Sequence, residues 1–229
     1  MNALANPEVG KYVNENFASS FQKVATFRIV GGQKQGGNVA SYFCAPDGRV
    51  VHAVAGPVDA QTFLNEAKWV VETTRRLMNE SRGDGGKFKA LLRTAHAERL
   101  RREYGLVVEP VTFDPAEAPD ENGALTYRDP SGRPLAPKLP PPPPIDGPDV
   151  SFRGARLALA AEVPGSMPIA DKRGQRWGLS NQGRVHHLLA AHGLAKIETV
   201  YGTVFERILG EKVSTKPVDI VTPFPWVKK

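Results

Sequence analysis

Gly36–Ala67 reads GGNVASYFCAPDGRVVHAVAGPVDAQTFLNEA, and this single phrase encodes a strand, a tight turn, a second strand and the start of an amphipathic helix. Val39 to Cys44 is a short apolar and aromatic run of the kind that forms a buried strand. Ala45-Pro46-Asp47-Gly48 supplies the turn, with Pro46 preset near φ of about −65° and Gly48 free to take positive φ. Val50 to Val54 returns as the second strand of an antiparallel hairpin. After Gly56-Pro57, Asp59 is placed as an N-cap, and Phe63, Ala67, Val70, Val71 and Leu77 recur at three- and four-residue spacing. That helical face is expected to pack on the hairpin.

Upstream, Asn6-Pro7 reads as an N-cap followed by proline in the first turn of a short helix ending near Asn14 to Asn16, and Phe21 to Val30 reads as a strand. The words NPEVGKYVNENF (6–17) and APDGRVVHAVAGP (45–57) resemble a bacterial branch of the thioredoxin-like superfamily, over roughly residues 6 to 78. The resemblance implies a short helix, a pre-hairpin strand, a glycine-rich loop and the closing hairpin of that fold.

Two departures shape what the resemblance implies for function. The family's reactive Cys-x-x-Cys opens a helix before the NPEV-like segment; here only five residues precede Asn6, so that helix and the central strand before it are expected to be missing. The family's cis-proline is replaced by Val39, where a trans peptide is expected because a cis bond before a non-proline residue costs about 2.5–4 kcal/mol. Without its central strand the sheet would expose unpaired N–H and C=O groups, and such an edge recruits a partner. The candidates to fill it are Val150 to Val163, Pro217 to Val221, or a strand from another chain.

The chain has 229 residues, 41% of them apolar, enough for one or two cored domains. It shows no 18-residue apolar run and no signal-peptide core, so a cytoplasmic location and no membrane partner are expected. A single cysteine excludes an internal disulfide framework and a cysteine-based zinc site. Cys44, on a strand, reads as a buried small hydrophobe, with a monothiol redox role as the alternative.

The net charge of +6 is concentrated. Lys87 to Tyr104 reads as a helix carrying Lys87, Lys89, Arg93, Arg99, Arg101 and Arg102 around the narrow apolar set Phe88, Leu91, Leu92 and Ala95. Much of it is expected to be solvated, with Glu98 and Glu103 as local partners or with phosphate as an external one. Pro110 to Asp149 lacks any sustained period and ends in five prolines, Pro140 to Pro144, a polyproline rod of about 15 Å at roughly 3.1 Å per residue. It reads as a spacer, an aromatic-groove ligand, or a segment wrapped over a surface.

Beyond Val150 come a strand candidate and a loop rich in Gly, Arg and Lys that holds Lys172, Arg173 and Arg176 beside Trp177. A helix capped by Ser180 or Asn181 and stopped by Gly193 presents Val185, Leu188 and Leu189. A second carries the stripe Ile197, Val200, Tyr201, Val204, Phe205, Ile208 and Leu209. Val200, Tyr201 and Phe205 are candidates for protein binding, unless the stripe is buried on the chain itself. A DNA-reading helix pair is disfavoured because Lys196 stands beside Glu198 and Thr199. His186, His187 and His192 share one helix without i,i+4 spacing, and His52 and His96 are isolated in sequence, so all read as ordinary residues. GGQKQGG (31–37) lacks the ending of a phosphate loop. No metal site and no cofactor are expected.

The expected fold class is α/β: a partial thioredoxin-like sheet with helices over 1–82, a basic helix over 83–109, an acidic proline-rich linker over 110–149, and a strand plus helical hairpin over 150–229. The expected function is a redox-inactive module for protein binding or homo-oligomeric assembly, more a binder than an enzyme. The alternatives are a basic nucleic-acid-associated protein, with the cations above as contacts, and a monothiol redox protein using Cys44.

Overall fold

The structure is a computed structural model that describes residues 3–22, 24, 28–30, 33–35, 37–108, 138–149, 167–213 and 219–221. Four of its helices begin where side chains satisfy the free amides of a first turn. Asn6 caps α1 (Pro7–Asn16) by accepting from the Glu8 and Val9 amides at 2.9 and 3.3 Å, and Pro7 occupies a position that needs no donor. Asp59 caps α2 (Ala60–Ser81) through the Thr62 amide, and Asp84 caps α3 (Gly85–Tyr104) through the Lys87 amide. Gly105, at φ 71°, ends α3 in the left-handed conformation that a side chain would resist.

The strands are short. β1 (Arg28–Val30) pairs antiparallel with β2 (Gln33–Gln35) and parallel with Asp219–Val221. Among the described residues of the expected Phe21 to Val30 strand, Arg28–Val30 is strand, while Phe21 is 90% exposed outside any strand. Of the two segments expected to extend the sheet, the C-terminal one pairs with β1; the other, Val150 to Val163, lies outside the described residues.

β3 (Ala40–Cys44) and β4 (Val50–Ala55) form the antiparallel hairpin read from the sequence, turned by Gly48 at φ 80°. Among the described residues this hairpin is a two-stranded sheet separate from β1. Every side chain of β4 is buried. Val9, Phe43, Val51, Val54, Phe63, Ala67, Val70, Leu77 and Leu92 form one apolar cluster, in which α2 closes over the hairpin as its helical periodicity predicts and α3, expected to be largely solvated, joins it through Leu92.

A second cluster is drawn from opposite ends of the chain. Val50, Ala53 and Ala55 pack with Val185, Leu188 and Leu189 of α4 (Asn181–His192) and with Val200, Val204 and Ile208. The last three belong to α5 (Ile197–Thr203) and to the π turn Val204–Ile208 that continues it. Val200 and Phe205, offered as partner contacts, are both buried inside this chain, Val200 in the cluster where the hairpin supplies the apolar surface. Tyr201 is only half-buried. Backbone bonds seal the junction: Val50 N–H donates to Ala195 at 2.9 Å, Leu194 N–H to Val50 at 3.1 Å, and Ile197 N–H to Gly48 at 3.0 Å.

The described part of the proline-rich stretch lies on this same region. Leu139 is buried in the second cluster and its amide donates to Thr203 Oγ1 at 2.8 Å, while Pro143 presents its carbonyl to His187 Nε2 at 2.9 Å. Residues 139–143 thus wrap a surface, one of the three readings of the rod. β5 (Leu106–Val108) and β6 (Ile145–Pro148) then pair, and β7 (Met167–Ala170) and β8 (Arg176–Leu179) make a hairpin leading into α4.

Candidate functional site

The cluster with the greatest chemical content joins four elements. His52 stands in β4, whose burial along its whole length cuts an imidazole off from water. Glu66 and Trp69 come from α2, His96 and Arg99 from α3, and His186 and Gln182 from α4. α3 turns Leu92, Arg93, Ala95, His96 and Leu100 inward at helical spacing, which carries His96 to the strand. α4 approaches closely because residue 183 is glycine: a Cβ there would lie 2.5 Å from Leu179 Cδ1 and 2.9 Å from Tyr104 Cζ.

The three imidazoles form a compact stack. His52 and His96 are 0% exposed and His186 equally so. Ring centroids are 5.5 Å apart for His52 and His96, 4.9 Å for His52 and His186, and 5.0 Å for His96 and His186. Trp69 walls the stack, its ring centroid 4.9, 5.1 and 5.4 Å from His52, His96 and His186, and the Arg99 guanidinium lies 4.8 Å from the Trp69 ring on a cation–π contact.

The polar partners fix which nitrogens carry protons. Arg99 grips Glu66 with two bonds, Nη1 to Oε2 at 2.8 Å and Nη2 to Oε1 at 2.5 Å, and also donates to Glu103 at 2.7 Å. Burial alone would push the Glu66 carboxyl up; the hydrogen bond from His52 and the Arg99 guanidinium outweigh it and hold the group below its ordinary value. An ionised Glu66 only accepts, so His52 Nε2, 2.8 Å away, is the protonated nitrogen. Gln182 Nε2 lies 3.0 Å from that same nitrogen, but its hydrogen bond is the one it donates to the Ala53 carbonyl at 2.9 Å. His96 Nε2 likewise donates to the Val51 carbonyl at 3.0 Å.

What remains is one proton and three lone pairs: His186 Nδ1 donates to His96 Nδ1 at 2.8 Å, since His96 already carries its proton on Nε2, and His52 Nδ1 and His186 Nε2 are buried without a hydrogen-bond partner among the described residues. Burial drives all three imidazoles to the neutral form, with His96 lowered to about 3 and His186 held well below the usual histidine value by its neighbours as well. A set of neutral imidazoles with unpaired nitrogens can hold a cation or exchange a proton, and one nitrogen from each ring lies within 4.8 Å of the other two.

This arrangement corrects the sequence reading of His52 and His96 as isolated, ordinary residues: the strand, α3 and α4 bring them together with His186 across 134 residues of sequence, from 52 to 186. Arg93 and Arg99, read as phosphate contacts, also turn inward. Arg93 Nε donates to the Ala190 carbonyl at 2.9 Å, and Arg99 is engaged by Glu66 and Glu103. Of the other cations, Arg101 pairs with Asp149 at 3.1 Å, Arg102 approaches Glu103 at 3.9 Å, and Lys172 pairs with Asp146 at 2.7 Å. Arg173 sits in a turn where its amide donates to Asp171, Lys87 and Arg176 are exposed on α3 and β8, and Lys89 is half-buried on α3.

Cys44 is exposed, another correction. The pleat that turns Phe43 inward turns Cys44 outward, and a register shift falls between them. Partial burial of the thiol, together with Glu198 and Asp47, raises its pKa, the opposite of what activates a thiolate. Glu66 and Trp69 were missed as functional candidates, although Glu66 falls on the apolar stripe of Phe63, Ala67 and Val70, a place for a carboxylate only if a partner waits there. Compared with protein-family models, curated proteins and solved structures, the chain matches none.

Proposed function

We propose that this chain is a redox-inactive, non-catalytic binding module, thioredoxin-like in plan, that takes a β-strand from a protein partner along the outer edge of β3. The observation that carries this reading is the edge itself. Gly56 N–H donates to the Val39 carbonyl, and the register pairs Ala40 with Ala55 and Tyr42 with Ala53. Hydrogen-bonded and non-bonded pairs alternate in an antiparallel ladder, so Ser41 and Phe43 bond to β4 while the amides and carbonyls of Ala40 and Tyr42 point away from it. Among the described residues no strand pairs with that side. Edges of this kind are completed by added strands.

The chemistry of the chain agrees with binding over turnover. The histidines are sealed, and the one exposed thiol is a weak nucleophile without a second cysteine in the sequence. No described helix is long and apolar enough to cross a membrane.

Amide exchange in dilute protein tests the edge. Ala40 and Tyr42 are expected to exchange fast in the monomer while Ser41 and Phe43 are protected, and Ala40→Pro is expected to keep the hairpin while abolishing partner capture. Protection of Ala40 and Tyr42 in the monomer would overturn the reading, and protection that grows with concentration would assign the edge to a second copy. Insulin disulfide reduction with dithiothreitol is expected to proceed no faster with the chain than without it, and equally with Cys44→Ser.

A further inference from the structure

The geometry points to a second property, independent of the edge: His52, His96 and His186 form a three-imidazole centre for one divalent transition-metal ion of the zinc class. Three observations converge on it. First, the donor atoms are pre-sorted. Glu66 accepts the hydrogen bond of His52 Nε2–H and the Val51 carbonyl that of His96 Nε2–H, so each ring keeps its lone pair on a buried Nδ1, and one nitrogen of each of the three rings lies within 4.8 Å of the other two. A carboxylate or a backbone carbonyl on the far nitrogen is how ligating histidines are oriented and made more basic.

Second, the stack has unmet demands. Among the described residues His52 Nδ1 is buried and unpartnered, and an unsatisfied lone pair in the core costs stability unless something binds it. The short Nδ1 to Nδ1 contact of His96 and His186 requires a proton between them, carried by His186; when small ring rotations admit an ion between the two Nδ1 atoms, that proton moves to His186 Nε2 and the ring stays neutral. Bonds of about 2.0–2.1 Å in a tetrahedral centre set ligand nitrogens roughly 3.3 Å apart, a change of about half an ångström from 2.8 Å.

Third, the donor set selects. Imidazole nitrogens with no thiolate and no carboxylate in the inner set favour Zn²⁺, Co²⁺, Ni²⁺ or Cu²⁺ over the oxygen-seeking Mg²⁺ and Ca²⁺. Glu66 is already committed to His52 and Arg99, and its charge partly offsets the ion's from the outer shell. The centre ties β4 to α3 and α4, so the ion acts as an internal clip between the hairpin and the C-terminal helices.

The test uses the full chain, stripped with a chelator and desalted, then titrated separately with Zn²⁺, Co²⁺ and Mg²⁺. Expected are one ion per chain for Zn²⁺ and Co²⁺, none for Mg²⁺, the visible absorption of four- or five-coordinate nitrogen-ligated Co²⁺, quenching of Trp69 fluorescence by Co²⁺, and a rise in unfolding midpoint with Zn²⁺. His96→Gln and His186→Gln are expected to lower affinity at least a hundredfold, and Glu66→Gln ten- to a hundredfold, while His187→Gln, which faces Pro143, leaves it unchanged. Should the histidine variants not fold, the Co²⁺ spectrum and Trp69 quenching of the unaltered chain decide. Absence of stoichiometric binding, binding without a nitrogen-ligand spectrum, or binding unaffected in the folded variants would overturn the assignment.

Discussion

The two faces of α3 are built from the same residue types and have opposite fates. Toward the core, Arg93, His96 and Arg99 follow one another at three-residue intervals and each is tied to another element: to the Ala190 carbonyl, to Val51 and His186, and to Glu66. Toward solvent, Arg101 and Arg102 hold exposed ion pairs with Asp149 and Glu103. The difference teaches that a count of positive charges says nothing of where they point. Six cations on one helix look like an electrostatic footprint, yet two of them belong to the interior of the fold.

The sharpest way to break this contrast is Arg99→Ala. It leaves Glu66 buried without its strongest partner, and removing one member of a buried pair costs about 3–5 kcal/mol, read from urea unfolding. A loss below about 1 kcal/mol would place Arg99 among the solvent-facing cations. Next in size is Gly183→Ala, expected to cost about 1–3 kcal/mol by pushing α4 and its His186 away from Leu179 and Tyr104.

Acid acts on the inward face. The buried histidines have pKa values below their unfolded value of about 6.5, so between the two values the unfolded chain binds more protons and stability falls with falling pH. The metal-free chain should hold full stability above about pH 6.5 and lose it progressively toward pH 3, the value to which His96 is lowered. His96→Gln should flatten that slope; an equal slope would mean that the carboxylates alone govern acid unfolding. The smallest effect belongs to the outer face: Arg102→Ala, at a side chain 71% exposed, should change stability by no more than about 0.5 kcal/mol. Paired with Arg101→Ala it should weaken any polyanion binding in a salt-dependent, sequence-independent manner, measured by anisotropy at two ionic strengths.

The hairpin, the caps Asn6, Asp59 and Ser180, and the helical stripes were legible because each is written within a few neighbouring residues. The histidine cluster was not, because its members lie on four elements and only their packing makes them neighbours. Local hints existed: an imidazole inside the apolar run VVHAVA and a carboxylate on the apolar stripe of α2. Each is an oddity alone and becomes a site only with the other. Cys44 failed for the opposite reason. Apolar strand neighbours suggested burial, while the alternation of the pleat and the register shift after Phe43 decide that it faces out.

The seam between Val50 and residues 194–197 has a consequence for synthesis. β4 emerges from the ribosome long before the segment that hydrogen-bonds to Val50 and Gly48, which follows some 145 residues later. At roughly 5–20 residues per second that interval lasts about 7–30 s. During it the nascent hairpin carries an uncovered apolar face and His52 has no His186 to meet. The C-terminal helices, not the hairpin's own turn, close this part of the core, which places a slow, non-local step late in folding.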